Sequence, residues 1–243
     1  PIINQIQSHH TEDRVKKYLL PKRILLAEGD ATNTETLLDP EKTMQISLTS
    51  KDVAIFTGKS AILLDFGQEL HGGVRILTHR SDKIAGADPR IRIRFGESAS
   101  ECCAELIGDG QGTATNDHSI RDVDLPIPAC SDMEFGQTGF RFVRLDIPEG
   151  TVLNIKAVFA SLIYREIPYQ GSFECSDPLL NRIYDVAAYT CHLNMQQMLW
   201  DGVKRDRLVW IGDTHPEMLT IRTLFGADRC IEEGLTYAKR DAP

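Results

Sequence analysis

The strongest constraint on this chain is a change of hydrophobic period near residues 165–171. Before it lie 13 of the 18 glycines and 7 of the 11 prolines, a density of punctuation that forbids long helices and suits many short strands. The β-rich runs are Arg23–Ala27, Met44–Leu48, Ala61–Phe66, Gly73–Thr78, Arg90–Phe95, Phe140–Ile147 and Val152–Leu162. In the run from Arg90 to Phe95 every second residue is apolar. That places Ile91, Ile93 and Phe95 on one face and three arginines on the other. Phe140 to Leu145 reads the same way, and both arginine rows are expected to form a solvated sheet face. Residues 1–168 are therefore predicted to form an antiparallel β-sandwich. The polar, glycine-rich stretch from Cys102 to Asp124 is expected to be a long mobile loop. Gly108, Gly110 and Gly112 do not link a strand to a helix, which argues against a phosphate-binding loop.

After Phe173 the period becomes helical. Ser176-Asp177-Pro178 is a helix start, with a capping side chain ahead of a proline in the first turn. Leu180, Ile183, Tyr184, Ala187, Cys191, Met195 and Met198 form an apolar stripe, and Leu179, Val186, Tyr189 and Leu193 widen it. So broad a stripe implies a helix covered on more than one side. A second start is predicted at Thr214-His215-Pro216-Glu217, with Glu217 completing a capping box and Gly226 closing the helix. A third helix is predicted over 227–238. Residues 169–243 are thus a helical segment, and the fold class is mixed.

Composition removes some function classes. A net charge of −8 without a basic run disfavours nucleic-acid and anionic-membrane partners. Apolar stretches such as Ala61–Leu64 and Val158–Ala160 are too short to span a bilayer. The six cysteines form no CxxC pair and are expected to be mostly free, buried thiols. Neither a metal cluster nor a cofactor motif is visible. The compartment, periplasmic, secreted or cytoplasmic, is left open. The chain begins at Pro1 and its last helical pattern runs almost to Pro243, so a removed leader or upstream domain and a fold that continues further are both expected.

The chemistry is concentrated in the fourteen residues from Trp200 to Asp213. They hold Asp201, Asp206 and Asp213, the cations Lys204, Arg205 and Arg207, and both tryptophans of the chain. Indoles are costly to expose. Carboxylates beside indole planes suit a sugar, whose paired hydroxyls take the carboxylates while its C–H face packs on the ring. An ion-pair network pinning the loop to its helices explains the charges equally well, and both readings stand at this point.

These residues resemble a known family. The pattern Asp201-xxx-Arg205-Asp206-xxx-Trp210-x-Gly212-Asp213 is similar to the signature of the bacterial α-L-rhamnosidases of glycoside hydrolase family 78. The run from Phe173 to Tyr184 resembles that family's entry into its (α/α)6 catalytic barrel. Leu64 to Gly73, Phe95 to Ser98 and Thr138 to Phe142 resemble the β-sandwich that precedes it. The resemblance implies an inverting glycoside hydrolase acting on terminal α-L-rhamnosides of glycosides or polysaccharides, with no cofactor. It places the general acid on Asp206 and rhamnose-binding roles on Asp201, Arg205, Trp210 and Asp213. Asp206 stands where the commoner form has Glu, one methylene shorter, and Gly202-Val203 replaces Cys-Pro. The implied partner is a rhamnose-containing oligosaccharide or glycoside, and self-association is left open. The rival readings are a sugar-binding scaffold without catalysis and an (α/α)6 glycosidase acting on another sugar.

Other polar residues carry less weight. His71 is expected in a turn of the sandwich, Glu97 in a structural role, and His9-His10 in a tail or surface strand, while His215 could face the pocket. Length gives the last expectation. Three predicted helices are far fewer than the twelve of a six-hairpin barrel, so the chain is expected to be a fragment that carries the acid and lacks the base. Such a fragment is expected to be inactive alone, its terminal helices packed imperfectly or against a partner.

Overall fold

In the computed structural model, residues 13–44, 47, 49–80, 89–105 and 121–241 are described. The expectations for His9-His10 and for Gly108, Gly110 and Gly112 fall outside them. The chain divides into two units. A β unit comprises residues 17–162 and 203–206, and a helical unit comprises residues 1–16, 163–202 and 207–243.

The β unit is built from β1 (Arg14–Leu19), β2 (Arg23–Thr32), β3 (Ala54–Thr78), β4 (Arg90–Gly96), β5 (Asp122–Pro126), β6 (Asp132–Ile147) and β7 (Val152–Arg165), with a short helix α1 (Ala99–Cys103). They form one mostly antiparallel sheet in the order β1-β7-β3-β6-β4-β5, with β2 also on β3. The runs at Ala61–Phe66 and Gly73–Thr78 are a single long strand, not two. Between them the step from Asp65 to Leu70 is matched on β6 by the step from Phe142 to Phe140, so the extra residues bulge out and pairing resumes. Gly67, at φ 89°, supplies the left-handed residue this needs.

His71, expected in a turn, is wholly buried inside β3 opposite Gly139. Gly73 beside it is required for close approach, because a methyl there would lie 2.3 Å from the Phe135 carbonyl oxygen. The expected strand at Met44–Leu48 is absent where it is described: Met44 lies in an exposed bend. Cys102, expected in a loop, is buried within α1, and β5 begins at Asp122; the intervening 106–120 lie outside the described residues.

Among the described residues a large hydrophobic core fills the unit, and a small second cluster gathers Leu63, Cys102 and Phe142. Ile62 and Leu64 from the first half of β3 meet Val74 and Ile76 from its second half, together with Ile93, Phe95, Phe140, Leu145 and Val158. Both halves of one strand can enclose the same core only if the sheet wraps around it. The arginine face departs from expectation. Arg94 is 5% exposed, and its Nε donates to Asp146 at 2.8 Å. Arg92 donates to Asp122 at 2.8 Å, and Arg144 to Asp146 at 2.9 Å. Register is the cause: Arg92 stands opposite Asp146 on β6 and Asp124 on β5, and Arg94 opposite Asp122. Carboxylates on neighbouring strands replace water as the partners of this row.

The helical unit holds α2 (Pro178–Asn194), α3 (Ile211–Phe225) and α4 (Arg229–Asp241). Asp177 caps α2 as its sequence predicts, accepting the Leu179 N–H at 2.8 Å. The second helix begins three residues earlier than its apparent capping box. The Trp210 carbonyl already accepts the amides of Asp213 and Thr214, both at 3.1 Å. Thr214 Oγ1 also donates back to that carbonyl, at 3.0 Å, and so caps nothing. Pro216 lies inside α3, and Gly226 ends it as expected. Ala188, Met195, Leu199, Ile221, Leu224, Phe225, Cys230 and Ile231 form the core. Leu179, Ile183 and Val186 stay exposed, so the breadth of the α2 stripe is not matched by cover from the described residues. All six cysteines are free, but only Cys102 and Cys230 are buried.

Candidate functional site

The loop between α2 and α3 is ordered from its own residues. Trp200 donates its N–H to the Asn194 carbonyl at 3.1 Å, and Asp201 donates its own to Leu208 at 3.1 Å. Leu208 returns an amide to Asp201 Oδ1 at 2.9 Å, and Trp210 Nε1 donates to Asp201 Oδ2 at 3.2 Å. Asp201 thus staples both ends of the loop. Each of its oxygens keeps a lone pair for another donor, and the residue remains exposed. Trp210 is half exposed, its ring edge tethered and much of its surface open. The guanidinium of Arg207 lies 5.9 Å from the centre of the Trp200 ring. Burial lowers the pKa of Arg207 from its ordinary value.

Asp213 sits in the first turn of α3 and Glu217 one turn further along. Burial pushes the Glu217 carboxyl above its ordinary pKa, and the charges of Asp213 and Asp201 push it the same way. Asp201, Asp213 and Glu217 therefore share one electrostatic neighbourhood in the helical unit. Glu217 was not among the residues expected to take part, because the capping-box reading consumed it. Its spacing of four from Asp213, on a helix already begun, is the signal that identifies it. His215 on the same helix is exposed.

Asp206 and its neighbours have a different setting. Val203–Asp206 belongs to the β unit, where Arg205 Nη1 stands 3.5 Å from Asp206 Oδ2. Asp206 and Arg207 have φ of 59° and 53°. Consecutive left-handed residues that are not glycine each cost on the order of 1–3 kcal/mol and collect at functional positions. Lys204 reaches Glu97 Oε2 at 2.9 Å and Glu101 Oε1 at 2.5 Å. The expected ion-pair network between the loop's arginines and aspartates is represented among the described residues by Arg205–Asp206, whereas Lys204 pairs with carboxylates of the β unit and Asp201 is held by amide and indole donors.

No group of three or more His, Cys, Asp or Glu among the described residues could hold a metal ion. No helix among them is long and apolar enough to cross a membrane.

Comparison with known proteins adds three findings. Residues 168–241 match the family model of the bacterial α-L-rhamnosidase six-hairpin glycosidase domain. An α-L-rhamnosidase of Formosa agariphila is 30% identical over 82 residues, which is 34% of this chain and 8% of that protein. The chain also resembles solved structures. A rhamnosidase from Klebsiella oxytoca with rhamnose bound aligns with a TM-score of 0.68 at 20% identity, over 88% of this chain and 42% of that one. A family 78 rhamnosidase of Bacillus sp. GL1 aligns with a TM-score of 0.61 at 19% identity, over 84% and 21%. At such identities the structural likeness establishes the fold. The chain spans less than half the length of each of these relatives.

Proposed function

We propose that this chain is part of a family 78 α-L-rhamnosidase, and that the protein containing it hydrolyses terminal α-L-rhamnosides with inversion at the anomeric carbon. The observation that carries the reading is the match over residues 168–241, which encloses the whole Asp201–Asp213 loop. In this reading Asp206 donates a proton to the leaving glycosidic oxygen. A second carboxylate, roughly 6.5–9.5 Å away across the ring, activates water on the opposite face. That base comes from a part of the six-hairpin domain other than these three helices, so the 243 residues hold the acid side of the chemistry only.

The remaining roles follow from the chemistry of the loop. Asp201 and Asp213 accept hydrogen bonds from rhamnose hydroxyls, and Arg205 shapes the pocket beside Asp206. Trp210, held at its edge by Asp201, offers its face to the C–H side of the sugar. Glu217 joins them as a further carboxyl, its pKa raised above the ordinary value by burial and by the charges of Asp213 and Asp201. The substrate is a rhamnose-containing oligosaccharide or glycoside.

The test is hydrolysis of an aryl α-L-rhamnoside by the full-length protein, with the first-formed sugar followed by proton NMR. The expected product is the β-anomer. Asp206→Asn is expected to lower kcat at least about a hundredfold, with an unchanged melting transition. Near-normal turnover by that variant removes Asp206 as the acid. Rhamnose binding by a wild-type protein that never turns over the substrate replaces the enzyme reading with a binding one.

A further inference from the structure

Val203–Asp206, within the loop, belong to the β unit, and the first two of these residues are the most enclosed. Val203 is 7% exposed, and the Lys204 side chain 12%. The receiving surface is prearranged. Ser98 Oγ accepts the Glu101 N–H at 3.1 Å at the start of α1, and Glu101 Oε2 accepts the Glu97 N–H at 2.8 Å. That leaves Glu101 Oε1 directed at Lys204, with Arg121 Nε 3.7 Å from the same oxygen. From the sheet side, Gly139 on β6 is open enough to admit the segment. A methyl there would stand 2.9 Å from Val203 Cγ2, 3.0 Å from Lys204 Cβ and 3.0 Å from Glu69 Oε1. Two residues beyond Lys204 the backbone enters the left-handed pair Asp206-Arg207.

We propose that Lys204 is a positioning residue: its clamp by Glu97 and Glu101, over the gap left by Gly139, holds the strained backbone that presents Asp206. This rests on Asp206 being the acid. An exposed lysine–carboxylate pair contributes little, but here the Lys204 and Glu101 side chains are only 12% and 18% exposed, and the half-exposed Glu97 adds a second carboxylate. A loop held in an unfavourable backbone conformation needs an external restraint, and the clamp is that restraint for Val203–Asp206. With its ammonium engaged by Glu97 and Glu101, Lys204 acts through Asp206. Burial also pushes the neighbouring Glu69 carboxyl up to about 8, with Glu97 and Glu101 reinforcing and Lys204 and Arg141 opposing.

The test uses the full-length protein carrying Lys204→Met, Glu101→Gln or Lys204→Arg. Two readouts are needed: steady-state hydrolysis of an aryl α-L-rhamnoside, and amide hydrogen exchange of peptides covering 203–208. Lys204→Met and Glu101→Gln are expected to speed exchange in that segment alone. They are expected to lower kcat at least about tenfold, as a small displacement of a reacting group does, with KM within about threefold of wild type. Lys204→Arg is expected to recover most of both effects. Should Lys204→Met fail to fold, Glu101→Gln, which removes one charge without changing shape, decides the matter. Unchanged exchange in the folded variants overturns the clamp. Faster exchange with wild-type kcat overturns the positioning role. If the wild-type protein does not hydrolyse rhamnosides, the functional reading fails while the exchange data still judge the clamp.

Discussion

Glu69 shows how one buried carboxyl ties stability of the β unit to pH. Burial, reinforced by Glu97 and Glu101 and opposed by Lys204 and Arg141, holds it at about 8 against an ordinary 4.5. Between those values the folded chain keeps a proton that the unfolded chain releases. Stability from this group is therefore complete below about pH 4.5 and is lost as pH rises through about 8. Glu69→Gln is expected to reduce the fall in urea-unfolding free energy between pH 5 and pH 8 by about 3 kcal/mol; identical slopes in wild type and variant would show that the carboxyl is ionised in the fold. At this scale the sequence singled out residues of the loop but not the partners the structure gives them. Asp201 was recognisable from its motif, whereas its bonds to Leu208 and Trp210 depend on how the loop closes. Lys204 read as one of three cations, because Glu97 and Glu101 lie about a hundred positions away and no local spacing records such a meeting.

Among the elements, β3 depends on a single buried ion cluster. Asp65, wholly buried, accepts from Arg141 on β6 at 2.8 and 3.0 Å and from Arg23 on β2 at 2.8 Å. The Arg141 hydrogen bonds, helped by the Gly67 amide and Arg23 and working against burial, hold its carboxyl far below the usual range. Asp65→Ala leaves two arginines facing an empty position at the centre of three strands. It is expected to destabilise the β unit by about 3 kcal/mol, read as a shift in the denaturation midpoint without a change in slope. Helix α2 gives a smaller, local case. Asp177→Ala removes the acceptor of the Leu179 amide and is expected to cost about 1 kcal/mol. Strand alternation and the Asp177-Pro178 start were readable because they follow from local chemistry. The start of α3 was misread because Thr214 and Glu217 imitate a capping box, while the carbonyl of Trp210 begins the helix. The joining of two predicted strands into β3 was hidden behind Gly67 and Gly72-Gly73, which resemble turn punctuation.

For the whole molecule, the two-part composition corresponds to a β unit and a helical unit, and the mixed fold class was visible in the change of period. What periodicity could not show was the surface left uncovered. Leu179, Ile183 and Val186 of α2 are 65%, 53% and 46% exposed, more contiguous apolar surface than a finished helix usually presents. If the catalytic base lies elsewhere in a six-hairpin domain, the 243-residue chain alone is expected to show no rhamnoside hydrolysis above the no-enzyme rate, whereas the longer protein does. Turnover by the 243-residue chain would require a base among the carboxylates already described. The wrapped sheet also governs the order in which the molecule can be made. The second half of β3 finds its β7 partners some eighty residues later, Val74 opposite Ala160 and Ile76 opposite Val158. During synthesis the second half of this longest strand therefore waits, with a hydrogen-bonding edge open, until most of the β unit has left the ribosome. Non-local closure of this kind is slow, so the nascent chain is at its most aggregation-prone just before β7 emerges.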